Sequence, residues 1–388
     1  MARLDMLSIR DFRNLARADL EFPPEGVVVI GDNGQGKTNL LEAIYYFQLL
    51  RSVRGARDAD LIRFGASAFH IHATVATHGE HDLSAAFGHG RKKIVVDGAE
   101  AKRLSGALGS LPAIVISPRD VALVSGAPSE RRRFLDVALA LTSPRYLAAL
   151  QQYRGALTRR NAALRGVARG LQSDASVAVW EPALAENGAL LLRERLAWMD
   201  RYQPEFTRLT IAIGEPEPMT MRYVTSIANP RDAADELSDT LARKRTLDIR
   251  RGLTHSGPHR DDIALQIGGH DMRTFGSGGQ QRTAAITLRL LEAETLRAQS
   301  GSEPLLLLDD PFAELDGRRS AHILTLLRES VTGQTILTVP RSGDIPSDLS
   351  SLARWHIRDG VVNGPHKVAD KVVDSVADDA ADNTRRDE

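Results

Sequence analysis

The chain reads as an α/β protein whose sheet is built from two separated stretches of sequence, with a helical segment inserted between them. Three observations carry this reading. The run Val27-Val28-Val29-Ile30 leads straight into a glycine-rich loop and then into an amphipathic helix. Strand signals nearly vanish between about residues 129 and 241, where Ala, Leu, Arg and Glu dominate. Apolar strand runs then return at 305–308 and 334–339.

Taken in order, the first residues alternate, with Leu4, Met6 and Ser8 on one face and Leu7 and Ile9 near the other. They reach Phe12-Arg13-Asn14-Leu15, where a hairpin is expected. Residues 39–50 carry Leu40, Leu41, Ile44 and Phe47 at helical spacing. Short alternating strands with glycine turns follow over 69–96, and Ala113-Ile114-Val115-Ile116 is a further buried strand. In the helical segment Pro144, Pro182 and Pro204 mark helix starts or breaks. Alternation resumes at 263–267, and a long helix over 280–298 carries Ile286, Leu290 and Ala293 along one stripe. The expected division is 1–128 and 242–363 for the two parts of the α/β domain, 129–241 for the helical insert, and 364–388 for a disordered acidic tail.

The composition of these 388 residues includes 50 Lys+Arg, 50 Asp+Glu, 42% hydrophobic residues and no cysteine. That suits roughly two or three compact units with ordinary cores. The missing cysteines exclude disulfides, iron–sulfur clusters, thiolate zinc sites and cysteine nucleophiles, so chemistry falls to oxygen and nitrogen ligands. No run reaches the ~18 apolar residues of a membrane span, and the opening Met-Ala-Arg-Leu-Asp carries charge where a signal peptide needs an apolar stretch. A cytoplasmic protein with no membrane partner is the expectation. The zero net charge hides segregation. No acidic residue lies between Asp136 and Asp174, whereas Arg145, Arg154, Arg159, Arg160, Arg165 and Arg169 fall inside that stretch and Arg131, Arg132 and Arg133 just before it. This basic block is a candidate contact for nucleic-acid phosphates, and the scarcity of aromatics among its arginines, with only Phe134, Tyr146 and Tyr153, favours duplex over single strand. A solvated helix face is the other reading, and sequence assigns no individual arginine.

Gly31-Asp32-Asn33-Gly34-Gln35-Gly36-Lys37-Thr38 fits G-x-x-x-x-G-K-[ST] without a mismatch, between a predicted strand and a predicted helix. Glycines let the backbone N–H groups wrap a phosphate. Lys37 then reaches the β- and γ-phosphates, and Thr38 offers a hydroxyl to Mg2+. The apolar run before Asp309-Asp310 ends in a carboxylate beside that loop. Asp309 is expected to hold the magnesium shell, and Asp310 to orient or deprotonate an attacking water. Ser277-Gly278-Gly279-Gln280 stands at the start of the long helix, where Ser277 caps it and the glycines leave amides bare for an anion. One chain thus has two anion-binding helix ends but one carboxylate strand, which predicts a dimer bridged by nucleotide.

Together with Ala313-Glu314-Leu315-Asp316, which is similar to a D-loop, these motifs look like a P-loop ABC-type ATPase head of the SMC kind. The opening Leu7-Ser8-Ile9-Arg10-Asp11-Phe12-Arg13-Asn14, the segment Gly257-Pro258-His259-Arg260-Asp261-Asp262, Gln280-Gln281-Arg282-Thr283 and Arg131-Arg132-Arg133-Phe134-Leu135-Asp136 closely resemble the RecF family of bacterial recombinational repair. The resemblance covers about residues 1–340. It implies an ATP- and Mg2+-dependent DNA-binding protein that dimerises on ATP and binds duplex DNA near single-stranded gaps. It further implies work with RecO and RecR in loading RecA, support of SOS induction, and slow hydrolysis used as a switch. Lys37 and Thr38 would bind nucleotide and metal, Ser277 and Gly279 the partner copy's nucleotide, and Asp309 and Asp310 metal and water. The insert is too short for a long coiled coil.

Two positions depart from the ABC pattern. Thr338-Val339-Pro340-Arg341 stands where a transporter ATPase has its switch histidine, and Ser117-Pro118-Arg119-Asp120 follows Ile116 where a glutamine is usual. The runner-up function, a transporter's ATPase subunit, needs a membrane-coupling surface that an arginine-rich insert does not suit. A nucleotide-binding scaffold without turnover is a third reading. His70, His72, His78, His81 and His89 lack helical metal-ligand spacing and are expected to be exposed on strands.

Overall fold

A computed structural model describes residues 1–312, 317–330 and 333–364. The expected tail and the Ala313-Glu314-Leu315-Asp316 segment lie outside the described residues. The central sheet has six strands in the order Val361–Asn363, Ala353–Arg358, Gly26–Ile30, Thr335–Val339, Leu305–Asp309, Ala113–Ile116. All neighbours run parallel except the first pair. Strands buried on both faces read as unbroken apolar runs, which is why 27–30, 113–116 and 305–308 stand out in the sequence.

Alternation divides those runs between two cores. Val27, Val29, Leu305 and Leu307 face one core, and Val28, Ile30, Leu306 and Leu308 the other. The first core is covered by the helix Lys37–Leu49 and by an antiparallel six-stranded sheet that starts with the hairpin Arg3–Phe12 and Leu15–Glu21 and continues through Ala68–Ala76, Glu80–Gly88 and Arg91–Val96. Gln334 ties the layers together. Its side chain accepts from Leu4 N at 2.8 Å and donates to Leu4 O at 3.0 Å and Pro23 O at 2.7 Å.

The second core is shared between the α/β part and the arm. Ile114, Leu308 and Val339 belong to the same buried cluster as Tyr146, Trp198 and Phe206 from the arm helices and Ala285, Leu288 and Leu291 from the helix Gly278–Ser300. The arm consists mainly of Pro128–Thr142, Pro144–Ala168, Glu181–Ile213 and Ala233–Arg251. Pro144 and Pro182 sit in first turns, where a missing N–H costs nothing. Pro204, expected to start or break a helix, does neither: the 33-residue helix runs through it. Packing on the shared core outweighs the lost hydrogen bond.

The structure departs from the expected boundaries at two further places. Residue 241 lies inside the helix Ala233–Arg251, so the arm's last helix extends past it. A strand, Met219–Val224, also lies within the segment where strand signals nearly vanish, paired with Asp262–Ile267. Met219, Met221 and Tyr223 alternate inward, a short period-2 signal hidden between two long helices.

The arm encloses buried ion networks. Arg160, fully buried, donates to Asp248 Oδ2 and Thr254 Oγ1 at 2.8 Å each and to Glu181 Oε1 at 3.0 Å. Arg195 donates to Asp136 Oδ1 at 2.7 Å, Tyr146 Oη at 2.9 Å and Pro258 O at 2.8 Å. Removing one member of such a set strands the others in a dry interior. Arg160→Ala is therefore expected to cost about 3–5 kcal/mol, read as a lower urea midpoint at unchanged slope.

Candidate functional site

The loop 31–36 leaves the central strand Gly26–Ile30 at its carboxyl end and enters the helix Lys37–Leu49. Gly36 has φ +117°, and a Cβ there would meet Asn14 Oδ1 at 2.8 Å, so only glycine lets the loop close onto the first hairpin. Gln35 holds the loop from behind. Its carbonyl accepts from Asn14 Nδ2 at 3.1 Å and Gly360 N at 2.9 Å, and its Oε1 accepts from Asp359 N. Lys37 Nζ donates to the loop's own carbonyls, Gly31 O and, at 2.9 Å, Asp32 O. Burial lowers the Lys37 pKa, opposed by the charges of Asp309, Asp310 and Asp32.

Asp309 ends the neighbouring strand but one and meets the loop. Thr38 Oγ1 donates to its carboxylate at 2.9 Å from Oδ2, and Thr338 Oγ1 donates at 2.9 Å to Oδ1. Asp310 stands next, with φ +48°, in a left-handed conformation that non-glycine residues rarely adopt. Its N–H donates to Thr338 O at 3.1 Å, and Arg282 Nη2 donates to the carbonyls of Asp310 at 3.3 Å and Pro311 at 2.9 Å. Burial and then the adjacent Asp309 charge raise the Asp310 pKa, which suits a group that accepts a proton.

These groups surround a cavity of about 340 Å3 lined by Asn33, Gly34, Gly36, Lys37, Thr38, Asp309 and Asp310. A hydroxyl and a carboxylate at its floor form the hard oxygen set that Mg2+ takes, and the loop amides with Lys37 suit a polyphosphate. Gly31, Asp32 and Gln35 line instead a second cavity of about 640 Å3 behind the loop, together with Pro340 and His356. Pro118 occupies the first cavity wall after the strand Ala113–Ile116, where a glutamine was absent from the pattern.

Sequence reasoning missed Arg54, which also lines the first cavity. The buried Glu42 holds it, accepting from Arg54 Nε at 3.0 Å, Arg13 Nε at 3.0 Å and Ser52 Oγ. No local pattern marks Arg54, because its partner stands twelve residues away on the far side of a helix turn. Burial pushes the Glu42 pKa up, yet these hydrogen bonds and the Arg54 charge outweigh it and leave the carboxyl below its ordinary value.

Ser277, Gly278, Gly279 and Gln280 line neither cavity. Ser277 Oγ accepts from Gln280 N at 3.3 Å and Gln280 Oε1 accepts from Ser277 N at 2.9 Å, a reciprocal cap that fixes an exposed helix start. A Cβ on Gly279 would stand 2.6 Å from Arg319 Nη1. Glu215, just beyond the long arm helix, accepts from Thr283 Oγ1 at 2.8 Å and pairs with Arg319 at 3.2 Å, which hooks the arm to this turn.

Two other expectations need correction. The basic block is not one free surface, because Arg131 and Arg160 are buried in ion pairs with Asp262 and with Asp248 and Glu181. Nor is His70 simply exposed: burial lowers its pKa to about 4, and its Nε2 lies 2.8 Å from Ser84 Oγ. His72 and His81 pair with Asp82 and Asp97.

A discontinuous α/β domain with this phosphate loop, carboxylate strand and glycine-rich helix start is an ATPase head of the SMC type. Residues 3–348 match the model of the RecF/RecN/SMC N terminal domain, and the chain belongs to the RecF family. It is 35% identical to the DNA replication and repair protein RecF of Exiguobacterium sp., covering 92% of this chain and 98% of that one. The corresponding figures for the protein of the same description from Roseiflexus castenholzii are 36%, 91% and 98%. A solved structure described as the recombination mediator protein RecF-ATP in the RecFOR pathway superposes with TM-score 0.85 at 30% identity, over 93% of this chain and 97% of that one. An Smc head domain from Pyrococcus furiosus shares the fold at TM-score 0.54 and 17% identity. The transporter reading finds no support in these relatives. Among the described residues no helix is long and apolar enough to cross a membrane.

The Glu42 arrangement gives a pH test. A carboxyl whose folded pKa is depressed contributes stability above its unfolded value, ordinarily 4.5, and loses that contribution as pH falls through the folded value. Glu42→Gln is expected to lose about 2 kcal/mol at neutral pH, and the gap to the wild type should narrow below about pH 4. Thermal melts across pH 3–7 read both.

Proposed function

We propose that the chain is a Mg2+-dependent ATP switch that dimerises on ATP and binds duplex DNA near single-stranded gaps. The observation that carries this reading is the Thr38–Asp309–Thr338 bracket beside Lys37, with Asp310 on the same cavity wall. Mg2+ held at this site would supply positive charge against the charge that develops on the phosphates. Thr38 and Asp309 would hold that ion. The loop amides and Lys37 orient the phosphates, with Lys37 exchanging its two carbonyl partners for phosphate oxygens. Arg54 faces the same space and adds positive charge at its rim. Asp310 accepts a proton from the attacking water, and its left-handed backbone aims the short side chain into the cavity.

The exposed turn at Ser277 to Gln280 does not line this cavity, which favours its use on a nucleotide held by a second copy. Closure of two such heads would create the DNA-binding form, and hydrolysis would reset it. The segment Ser117 to Asp120 without a glutamine, and Thr338 to Arg341 without a histidine, fit slow turnover. The solved structure described as the recombination mediator protein RecF-ATP in the RecFOR pathway supports RecO and RecR as partners; a cytoplasmic location, RecA loading and SOS induction complete the proposed reading.

Fluorescence anisotropy of a labelled duplex with a single-stranded tail, at fixed salt in ATP, ADP or no nucleotide, tests the switch. ATP should tighten binding, and Lys37→Ala should abolish the gain while leaving nucleotide-free binding in place. Equal affinity in all three states would overturn it. Asp310→Asn is expected to keep ATP-tightened binding and lower steady-state phosphate release by about 10²-fold or more. Release unchanged from wild type would remove Asp310 from the chemistry.

A further inference from the structure

The buried ion pairs of the arm sort its arginines into two classes. Arg131, Arg160 and Arg195 are consumed by carboxylates inside. Arg165 and Arg169, at the end of the helix Pro144–Ala168, are exposed, and so are Arg250 and Arg251 in the last turn of Ala233–Arg251. These four come from segments more than eighty residues apart, yet the fold joins them. A small apolar cluster of Ala163, Leu164 and Val177, with Val167 and Ile249 against it, packs the two helix ends together. The Arg165 stem lies across Gly252, where an added Cβ would stand 3.0 Å from Arg165 Cγ. Asn161 Oδ1 accepts from Thr254 N and Thr254 Oγ1 at 2.8 Å each, which straps the loop beyond Gly252 onto the other helix.

The charge at this joined end is not neutralised locally. Residues 137–173 and 249–260 contain no Asp or Glu. The nearby Asp248 is fully buried between Arg160 and His255, and the exposed Asp174 adds its charge to that of Glu181 on Arg245. Cations do belong at helix C-termini, where they offset the carbonyl dipoles. One cation per helix end meets that need, whereas the two ends here carry two guanidinium groups each. The excess lies in a chain whose total charge is zero, so it is a local segregation and not a by-product of a basic composition. Arg159, exposed on the helix Pro144–Ala168, stacks 5.2 Å over Trp180.

We propose that the joined ends of these two arm helices, carrying Arg165, Arg169, Arg250 and Arg251, form the surface that grips the phosphate backbone of duplex DNA. The proposal rests on the DNA-binding reading above and assigns that activity to one end of the arm. Guanidinium groups on rigid helices present planar donors to successive phosphates, and their contribution is independent of sequence and steep in salt. The surface lies on the arm, and the arm is hooked to the Ser277 turn through Glu215.

The test measures duplex affinity of the full-length protein in ATP at several salt concentrations. It compares wild type with the quadruple variant Arg165→Gln, Arg169→Gln, Arg250→Gln, Arg251→Gln, with the four corresponding Arg→Lys changes, and with Arg91→Gln on the antiparallel sheet as a control. The salt slope of the Gln variant should fall by about three to four, roughly one for each phosphate no longer neutralised. The Lys variant should keep most of the slope, and Arg91→Gln all of it. ATP affinity, read with a fluorescent analogue, should be unchanged in every case. A wild-type slope in the Gln variant, with or without a lower melting temperature, would overturn the proposal and leave the DNA reading standing. Displacement of the duplex by inorganic phosphate at equal ionic strength would mark a small-anion pocket and also overturn it. Absence of duplex binding by the wild type in every nucleotide state would sink the DNA reading and this surface together.

Discussion

The Asp309 carboxylate reaches the hydroxyls of Thr38 and Thr338 because parallel strands end level with one another. Asp309 stands opposite Thr338 in the register, and Val339 opposite Ile30, so the strand ends form a shelf on which the phosphate loop rests. A parallel sheet offers its carboxyl edge to ligands for this reason: every crossover leaves from the same side, and the first residues of the connecting segments converge there. Slipping one strand by a residue would carry Asp309 to the opposite face and bury a charge in the core. Register in the sheet is thus the precondition for the metal shell, for the aim of Asp310, and for the placement of Lys37.

Much of this was legible in the residues. Four central strands announced themselves as short apolar runs, because burial on both faces leaves no room for polar alternation. The loop, its lysine and the two aspartates follow from a local pattern that chemistry constrains tightly. What escaped had long-range causes. Arg54 is placed by Glu42, Thr338 acts through a neighbour 29 positions earlier, and Met219–Val224 forms a strand only because Asp262–Ile267 lies ready to pair with it. The basic block misled for a similar reason. Composition counts charges, and only the fold tells which of them are already spent, as Arg160 is on Asp248 and Glu181.

The arm is not a module set on top of a finished domain. Its helices supply one wall of the core that the central strands need, and Glu215 joins its longest helix to the turn at Ser277. Close-packed interiors shift between discrete arrangements and do not bend smoothly. The arm and the glycine-rich helix start are thus tied through Glu215 and the shared core, so a rotation of one would have to repack the other.

The strand Gly26–Ile30 lies between Thr335–Val339 and Ala353–Arg358, both encoded more than three hundred residues later. During synthesis at roughly 5–20 residues per second, an edge-ready segment of consecutive β-branched residues waits on the order of tens of seconds for its partners. Until then its unpaired backbone and apolar faces are available to other nascent chains on the same message. The sheet's centre can therefore close only after nearly the whole chain has left the ribosome.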